Sequence, residues 1–279
     1  MNTSDDQFTL PVKGKLSPIF TSSFIIAILT LTASAVGLQY NTLLYPTKEL
    51  AQTFIANDVV NLLIGLPILL GSMYLTWRGK LIGLLCWTGA LFFAFYNYTA
   101  YVFAMPLNWA FLLHLTLMTL SAYALIALVA LIDGKAVQQR LSGSVPERFA
   151  GGVLVGLGLL FLLRVIGVMV GALTNGIALV ETELAVNIAD FLTTPAWVIG
   201  GILLWRRKMF GYVSGLGLLF QGSMLFVALI IFLLLQPLLT SAPFAFTDVL
   251  VIAIMGLVCF IPFGMFVRGA IKARRAIYK

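Results

Sequence analysis

Eight long apolar stretches alternate with short polar ones along the chain. They cover residues 17–40, 57–77, 81–104, 108–132, 150–174, 187–205, 209–235 and 247–268. A helix needs about 20 mostly apolar residues to cross the hydrocarbon core of a bilayer. Strands of a membrane barrel are about half as long and alternate in polarity, which these stretches do not. The pattern predicts eight transmembrane helices. The weakest is 187–205, which is short and opens with Asn187 and Asp190. The polar start shows no short apolar core followed by a small-residue cleavage site, so 17–40 reads as a retained first helix. The expected division is a tail at 1–16, a first half at 17–132, a loop at 133–149, a second half at 150–268 and a basic tail at 269–279.

Composition turns this pattern into a class. The chain is 61% hydrophobic and 10% charged, whereas soluble domains are about 45–50% apolar and about 25% charged. The expected fold is an all-α integral membrane bundle whose surroundings are the lipid bilayer. A net charge of +7 would suit nucleic acid, but its distribution points elsewhere. Fifteen of the 17 Lys and Arg residues fall in the tails, in the connections after the second, fourth and sixth runs or, for Arg268, at the very end of the last run. With eight helices all fifteen lie on one side, and an odd number would scatter them. The other side keeps Lys48, and Arg164 lies inside a run. Basic loops stay cytoplasmic, so the reading is a multi-pass protein of the cell membrane with both termini in the cytoplasm and no nucleic-acid partner.

The segments 67–92 and 195–220 align with each other without gaps. Pro67 meets Pro195, Trp77 meets Trp205, Arg78 meets Arg206, Lys80 meets Lys208, Gly83 meets Gly211 and Gly89 meets Gly217. Leu75, Leu91 and Phe92 also recur, which makes nine identities in 26 columns, several in residue types that apolar composition does not supply. The expectation is two four-helix repeats. Four is even, so both enter the membrane from the same side and are parallel, related by an axis along the membrane normal. Their interface is the natural place for a site, and Pro67 and Pro195 are expected to kink their helices there and free backbone carbonyls.

Polar residues gather toward the extracytoplasmic ends. Arg164 lies about 15 Å short of the outer end of its helix by helical rise, too far to snorkel fully. Gly167 and Gly171 share its face, so Arg164 is expected to point at other helices. Asp58 and Asn61 open the second run, and Asp190 opens the sixth behind a loop holding Glu181 and Glu183. Asn97 and Tyr101 share a face near the end of the third run, and His114 lies about two turns into the fourth. Tyr98 and Trp109 suit an interfacial aromatic belt. For Arg164 two readings stand: an anion contact for a ligand, matched by its planar fork, or an ion pair with Asp190 or Glu183 that fixes packing. For Asp58 and Asp190 the choices are helix capping, counter-charge, or a site for a coupling proton.

The chemistry that is missing narrows the class. One histidine and two isolated cysteines, Cys86 and Cys259, exclude His-rich di-iron centres, bis-His haem and thiol–disulfide exchange. No nucleophile elbow or phosphate loop occurs, and no lysine lies inside a run to form a Schiff base. No metal site or cofactor is assigned.

Three stretches, N-D-V-V-N-L-L-I-G-L-P-I-L-L, F-Y-N-Y-T-A-Y-V-F-A-M-P-L-N and P-A-W-V-I-G-G-I-L-L-W-R-R, resemble polytopic membrane proteins of bacteria and archaea for which the likeness implies no activity. The G-G-I-L-L-W-R-R hairpin is similar to DoxX-type four-helix proteins, which implies four-helix halves and carries over no residue roles. The resulting expectation is transport or binding of a small charged or amphipathic ligand in an outward-facing polar pocket. Arg164 is its anion contact, Asp58 and Asp190 are counter-charges or proton sites, and Asn61, Asn97, Tyr101 and His114 orient the ligand. Two alternatives are an enzyme of lipid or isoprenoid chemistry, and a non-catalytic partner subunit or sensor whose pairs Gly152/Gly156 and Gly167/Gly171 contact another membrane protein; a homo-oligomer is open in either case.

Overall fold

A computed structural model of the protein describes residues 10–277. The outermost parts of the two expected tails, 1–9 and 278–279, lie outside the described residues. Among the described residues eight helices are long and apolar enough to cross a membrane: α1 Ser17–Gln39, α2 Lys48–Trp77, α3 Leu81–Ala104, α4 Trp109–Leu131, α5 Glu147–Asn175, α6 Glu181–Trp205, α7 Met209–Leu239 and α8 Phe246–Ile277. The protein is an all-α membrane bundle, and no strand occurs among the described residues. Short helices at Asn41–Leu44 and Gly134–Leu141 interrupt two connections. Side chains cap several helix starts, which otherwise leave amides unbonded. Thr47 Oγ1 accepts from Leu50 N at 3.2 Å, Asn108 Oδ1 from Phe111 N at 3.1 Å, and Asp133 Oδ1 from Lys135 N at 3.0 Å.

Two helices start more than a turn earlier than the hydropathy pattern places them. Helix α2 begins at Lys48 and α6 at Glu181. Glu181 and Glu183 therefore lie in the first turn of α6, not in a loop, where carboxylates favour the positive end of the helix dipole. Asp58 and Asn61 lie well inside α2, and Asp190 lies well inside α6. The pattern missed the first turns because they are polar, yet they are packed by other means. Thr182 donates to Glu49, tying the starts of α6 and α2.

The matched prolines behave differently. A π turn at Asn61–Gly65 lies immediately before Pro67 and widens α2 there, while Pro195 is carried within α6. Proline cannot donate to the preceding turn, and a π turn is one way of absorbing that loss.

Helix α3 is the central element, buried on every side from Gly83 to Phe93. It packs on α2 and α4 in the first half and on α6 and α7 in the second. At the α3–α7 crossing, backbone meets backbone: a Cβ on Gly89 would lie 3.0 Å from the carbonyl carbon of Gly217. A second close crossing joins α5 to α6, where a Cβ on Gly151 would come within 2.6 Å of Gly201 O. The other glycines that the spacing singled out, Gly156, Gly167 and Gly171, have nothing within 4 Å of the missing Cβ, and Gly152 touches only the edge of Trp205 at 4.0 Å. Gly156, Gly167 and Gly171 thus mediate no close helix contact among the described residues.

The α2–α3 and α6–α7 turns have the same geometry. Gly79 and Arg207 are both left-handed, at φ 67° and 54°. Arg78, Gly79 and Lys80 donate from their amides to Tyr74, Thr76 and Leu75, at 2.9, 2.8 and 2.9 Å. Arg206, Arg207 and Lys208 donate to Ile202, Leu204 and Leu203, at 2.9, 2.9 and 2.8 Å. The donors and acceptors of the two turns occupy matching positions in the gapless alignment of 67–92 with 195–220.

The basic end of the bundle is laced together. Lys13 N donates to Leu131 O and Asp133 N to Pro11 O, both at 2.8 Å, so the segment before α1 straps the end of α4. Glu147 accepts from Gly143 N at 2.9 Å and from Tyr212 Oη at 3.0 Å, with Arg207 3.8 Å away.

Candidate functional site

Polar side chains at the other end form two groups, one of which borders a cavity. The cavity, of about 320 Å³, is bounded by α2, α3, α5, α6, α7 and α8, at the seam between the first four helices and the last four. Its wall is mostly apolar, built from aromatic and aliphatic side chains such as Phe93, Phe161, Trp197, Phe226 and Phe232. Its polar lining comes from Asn57, Asn97, Tyr96, Arg164 and Asp190, with threonines of α2 and α6.

Arg164 and Asp190 pair across α5 and α6, with Nη1 donating to Oδ2 at 3.2 Å. The contact is unequal: the Asp190 side chain is 11% exposed and that of Arg164 is 47%. Among the described residues this is the guanidinium's one hydrogen bond. Arg164 thus reaches a neighbouring helix, as its depth implied, but its stem is open and most of its donors remain available at the cavity wall. The openness follows from the glycines. Gly167 and Gly171 leave the outer half of α5 without a packed neighbour on that face.

The second group is enclosed and belongs to the first four helices. Asp58 is 1% exposed. Its Oδ2 accepts from Tyr45 Oη at 2.5 Å and its Oδ1 from Tyr101 Oη at 2.7 Å. Asn61 Nδ2 donates to Tyr101 Oη at 3.4 Å, Asn97 Nδ2 donates to Asn61 Oδ1 at 2.6 Å, and Asn57 Nδ2 donates to Asn97 Oδ1 at 3.0 Å. Burial and the neighbouring Asp58 carboxylate hold the Tyr45 phenol well above its ordinary pKa, so it stays a donor. His114 is buried against Tyr101, with ring centroids 4.6 Å apart. Tyr98 is buried beside it, not placed in an interfacial belt, whereas Trp109 is exposed.

Of the seven residues singled out from sequence, Arg164, Asp190 and Asn97 line the cavity. Asp58, Asn61, Tyr101 and His114 lie behind its wall, and the first three connect to it through Asn97 and Asn57. Sequence reasoning passed over Asn57, Tyr45 and Trp197. Asn57 adjoins Asp58 and falls one turn before Asn61, which was a readable signal. Tyr45 lies in the connection ahead of α2, and only the fold brings it to Asp58. Trp197 donates from Nε1 to Gln221 Oε1 at 2.6 Å, a link between α6 and α7 that spacing does not show. Among the described residues no group of His, Cys, Asp and Glu is arranged to hold a metal ion.

No protein-family model matches the chain, no curated protein matches its sequence, and no solved structure matches its fold.

Proposed function

We propose that the cavity binds a small amphipathic anion, with Arg164 as the contact for its charged group and the Phe-rich wall for its apolar part, and that the protein carries or senses this molecule at the membrane. One observation carries the reading. Arg164, the Lys or Arg residue that lies deepest inside an apolar run, stands half-exposed on the wall of an otherwise apolar cavity. Intramembrane charge is expensive and marks ligand or ion pathways, and binding cavities of about 300–1,000 Å³ are typically apolar with a few placed polar groups.

Two further expectations frame it. The matching turns at Gly79 and Arg207, and the meeting of Gly89 with its repeat partner Gly217, support a duplication of a four-helix unit. Residues related by a twofold axis meet when they lie near it. The gathering of basic residues at one end supports a cytoplasmic location for that end, which makes the cavity extracytoplasmic.

The test is a melting series of purified protein with straight-chain carboxylates and alkyl phosphates of graded length, and alkylammonium ions as the opposite-charge control. A ligand at a hundredfold excess over its Kd stabilises by about 2.7 kcal/mol. Anionic amphiphiles should raise the melting temperature and alkylammonium ions should not. The Arg164→Gln/Asp190→Asn double variant, which removes both charges together, should melt near wild type without ligand and lose the shift. A shift retained in that variant, or one shared by the ammonium series, removes Arg164 from the site.

A further inference from the structure

The chamber around Asp58 is not explained by a binding cavity that it does not line. Asp58 lies in the interior of α2, and the groups facing it come from every element packed there. Tyr45 comes from the segment after α1, Ser34 and Gly37 from α1, Tyr98 and Tyr101 from α3, and His114 from α4 behind the two tyrosines. No lysine or arginine is among them. Gly37 is what lets α1 approach: a Cβ there would fall 2.5 Å from Tyr45 Oη and collide with the carboxylate. The site is therefore a carboxylate fitted closely against a helix backbone, surrounded by phenols and a hydroxyl, and without a counter-cation.

An isolated ionised carboxylate is costly to bury, and proteins neutralise one by protonation or by pairing. Hydroxyl donors reduce that cost but supply no charge. A second, independent observation points the same way. Three fully enclosed polar atoms in this chamber, Ser34 Oγ, Tyr98 Oη and His114 Nδ1, have no hydrogen-bond partner in good geometry. Buried polar atoms are nearly always satisfied, and three orphans around one uncompensated anion mark a place where something is held.

We infer that the Asp58 chamber is a binding site for one exchangeable monovalent cation, a proton or a sodium-sized ion, distinct from the cavity at the seam. Asp58 supplies the charge, and the hydroxyl oxygens of Ser34 and Tyr98 lie beside it. The chain Asp58–Tyr101–Asn61–Asn97–Asn57 joins this site to the cavity, since its last two members line the wall. Asn61 and Asn97 each donate and accept in that chain, and Asn57 donates at its cavity end, so neutralising Asp58 changes the polarisation of every link up to the wall. Occupancy of the chamber is in this way coupled to the cavity without sharing a residue with the Arg164–Asp190 pair.

The experiment follows melting of purified protein from mildly acidic to alkaline pH in choline buffer, with and without sodium, for wild type, Asp58→Asn and His114→Gln. Asparagine mimics the neutral acid. If the cation is a proton, wild type loses stability as pH rises, because the buried carboxylate must then stand charged, and Asp58→Asn is flat and melts higher than wild type at alkaline pH. If the cation is sodium, sodium chloride restores alkaline stability to wild type and not to Asp58→Asn. His114→Gln keeps the carboxylate and its alkaline limb. A wild type insensitive to both pH and sodium, or an Asp58→Asn protein that keeps the wild-type dependence, overturns the inference. Should Asp58→Asn fail to fold, infrared spectra of the Asp190→Asn protein answer the same question. A protonated-carboxyl band present at acidic pH and lost at alkaline pH supports the site, and a band invariant across the range, with melting indifferent to sodium, overturns it.

Discussion

Arg164 and Asp190 show how one contact carries two meanings that a variant can separate. If the pair only fixes packing, replacing Arg164 strands the enclosed Asp190, and an unsatisfied buried group costs about 1–3 kcal/mol. If the guanidinium serves a ligand, Asp190 competes with that ligand for it. Asp190→Asn is then expected to tighten binding of an anionic amphiphile while lowering the unliganded melting temperature, measured by ligand titration and by melting of the same sample. Arg164→Ala should lower both. The sequence pointed to the pair because an arginine far from either helix end is rare in an apolar run. It did not reveal that the arginine is open and the aspartate closed. That asymmetry depends on which face of α5 is left unpacked, and the faces of an all-apolar helix look alike in sequence.

Helices, in contrast, were legible almost to their ends, because length and hydropathy alone decide what crosses a bilayer. The errors fell where polar first turns extend α2 and α6, and in taking Gly167 and Gly171 as marks of close helix contact on the Arg164 face. Small-residue spacing singled out Gly152, Gly156, Gly167 and Gly171, yet the close crossings use Gly89 with Gly217 and Gly151 with Gly201. Spacing states that two glycines share a face and says nothing about what the face meets. The distinction predicts opposite outcomes. Gly217→Val is expected to destabilise by about 1–3 kcal/mol or to prevent assembly, since overpacking displaces backbone. Gly167→Ala should be neutral or stabilising by up to about 1 kcal/mol, because alanine is the better helix former. Gly79→Ala, with open space around it but a left-handed backbone, should cost about 1–2 kcal/mol through strain alone. Melting in one detergent compares all three.

The bundle as a whole is regular at its basic end and individual at the other. The matching turns, the matched tryptophans and the close crossing of α3 with α7 all follow the alignment of 67–92 with 195–220. The Asp58 chamber has no counterpart: extending the same alignment sets Val186, Leu225 and Leu229 opposite Asp58, Asn97 and Tyr101. The gapless alignment was readable because rare residue types recur in register, and where it stops was not, because a lost match resembles ordinary membrane sequence. Orientation is testable at this scale. In a chain with Cys86 and Cys259 replaced by serine, a cysteine at Ser144 is expected to react with an impermeant thiol reagent only after the membrane is opened, and one at Ala242 in intact cells. The reverse pattern would put the cavity on the cytoplasmic side.

The α3–α7 crossing has a mechanical side as well. The two helices come closest there, with Thr88 seated against Gly217, so a change of tilt between α3 and α7 would turn about Gly89 and Gly217, with the cavity on the long arm. From Gly89 to the end of α3 is roughly 22 Å at helical rise, so a tilt of about ten degrees swings the far end by about 4 Å. Lever arms of that length turn a small rotation between the two halves into the width of a hydrocarbon chain.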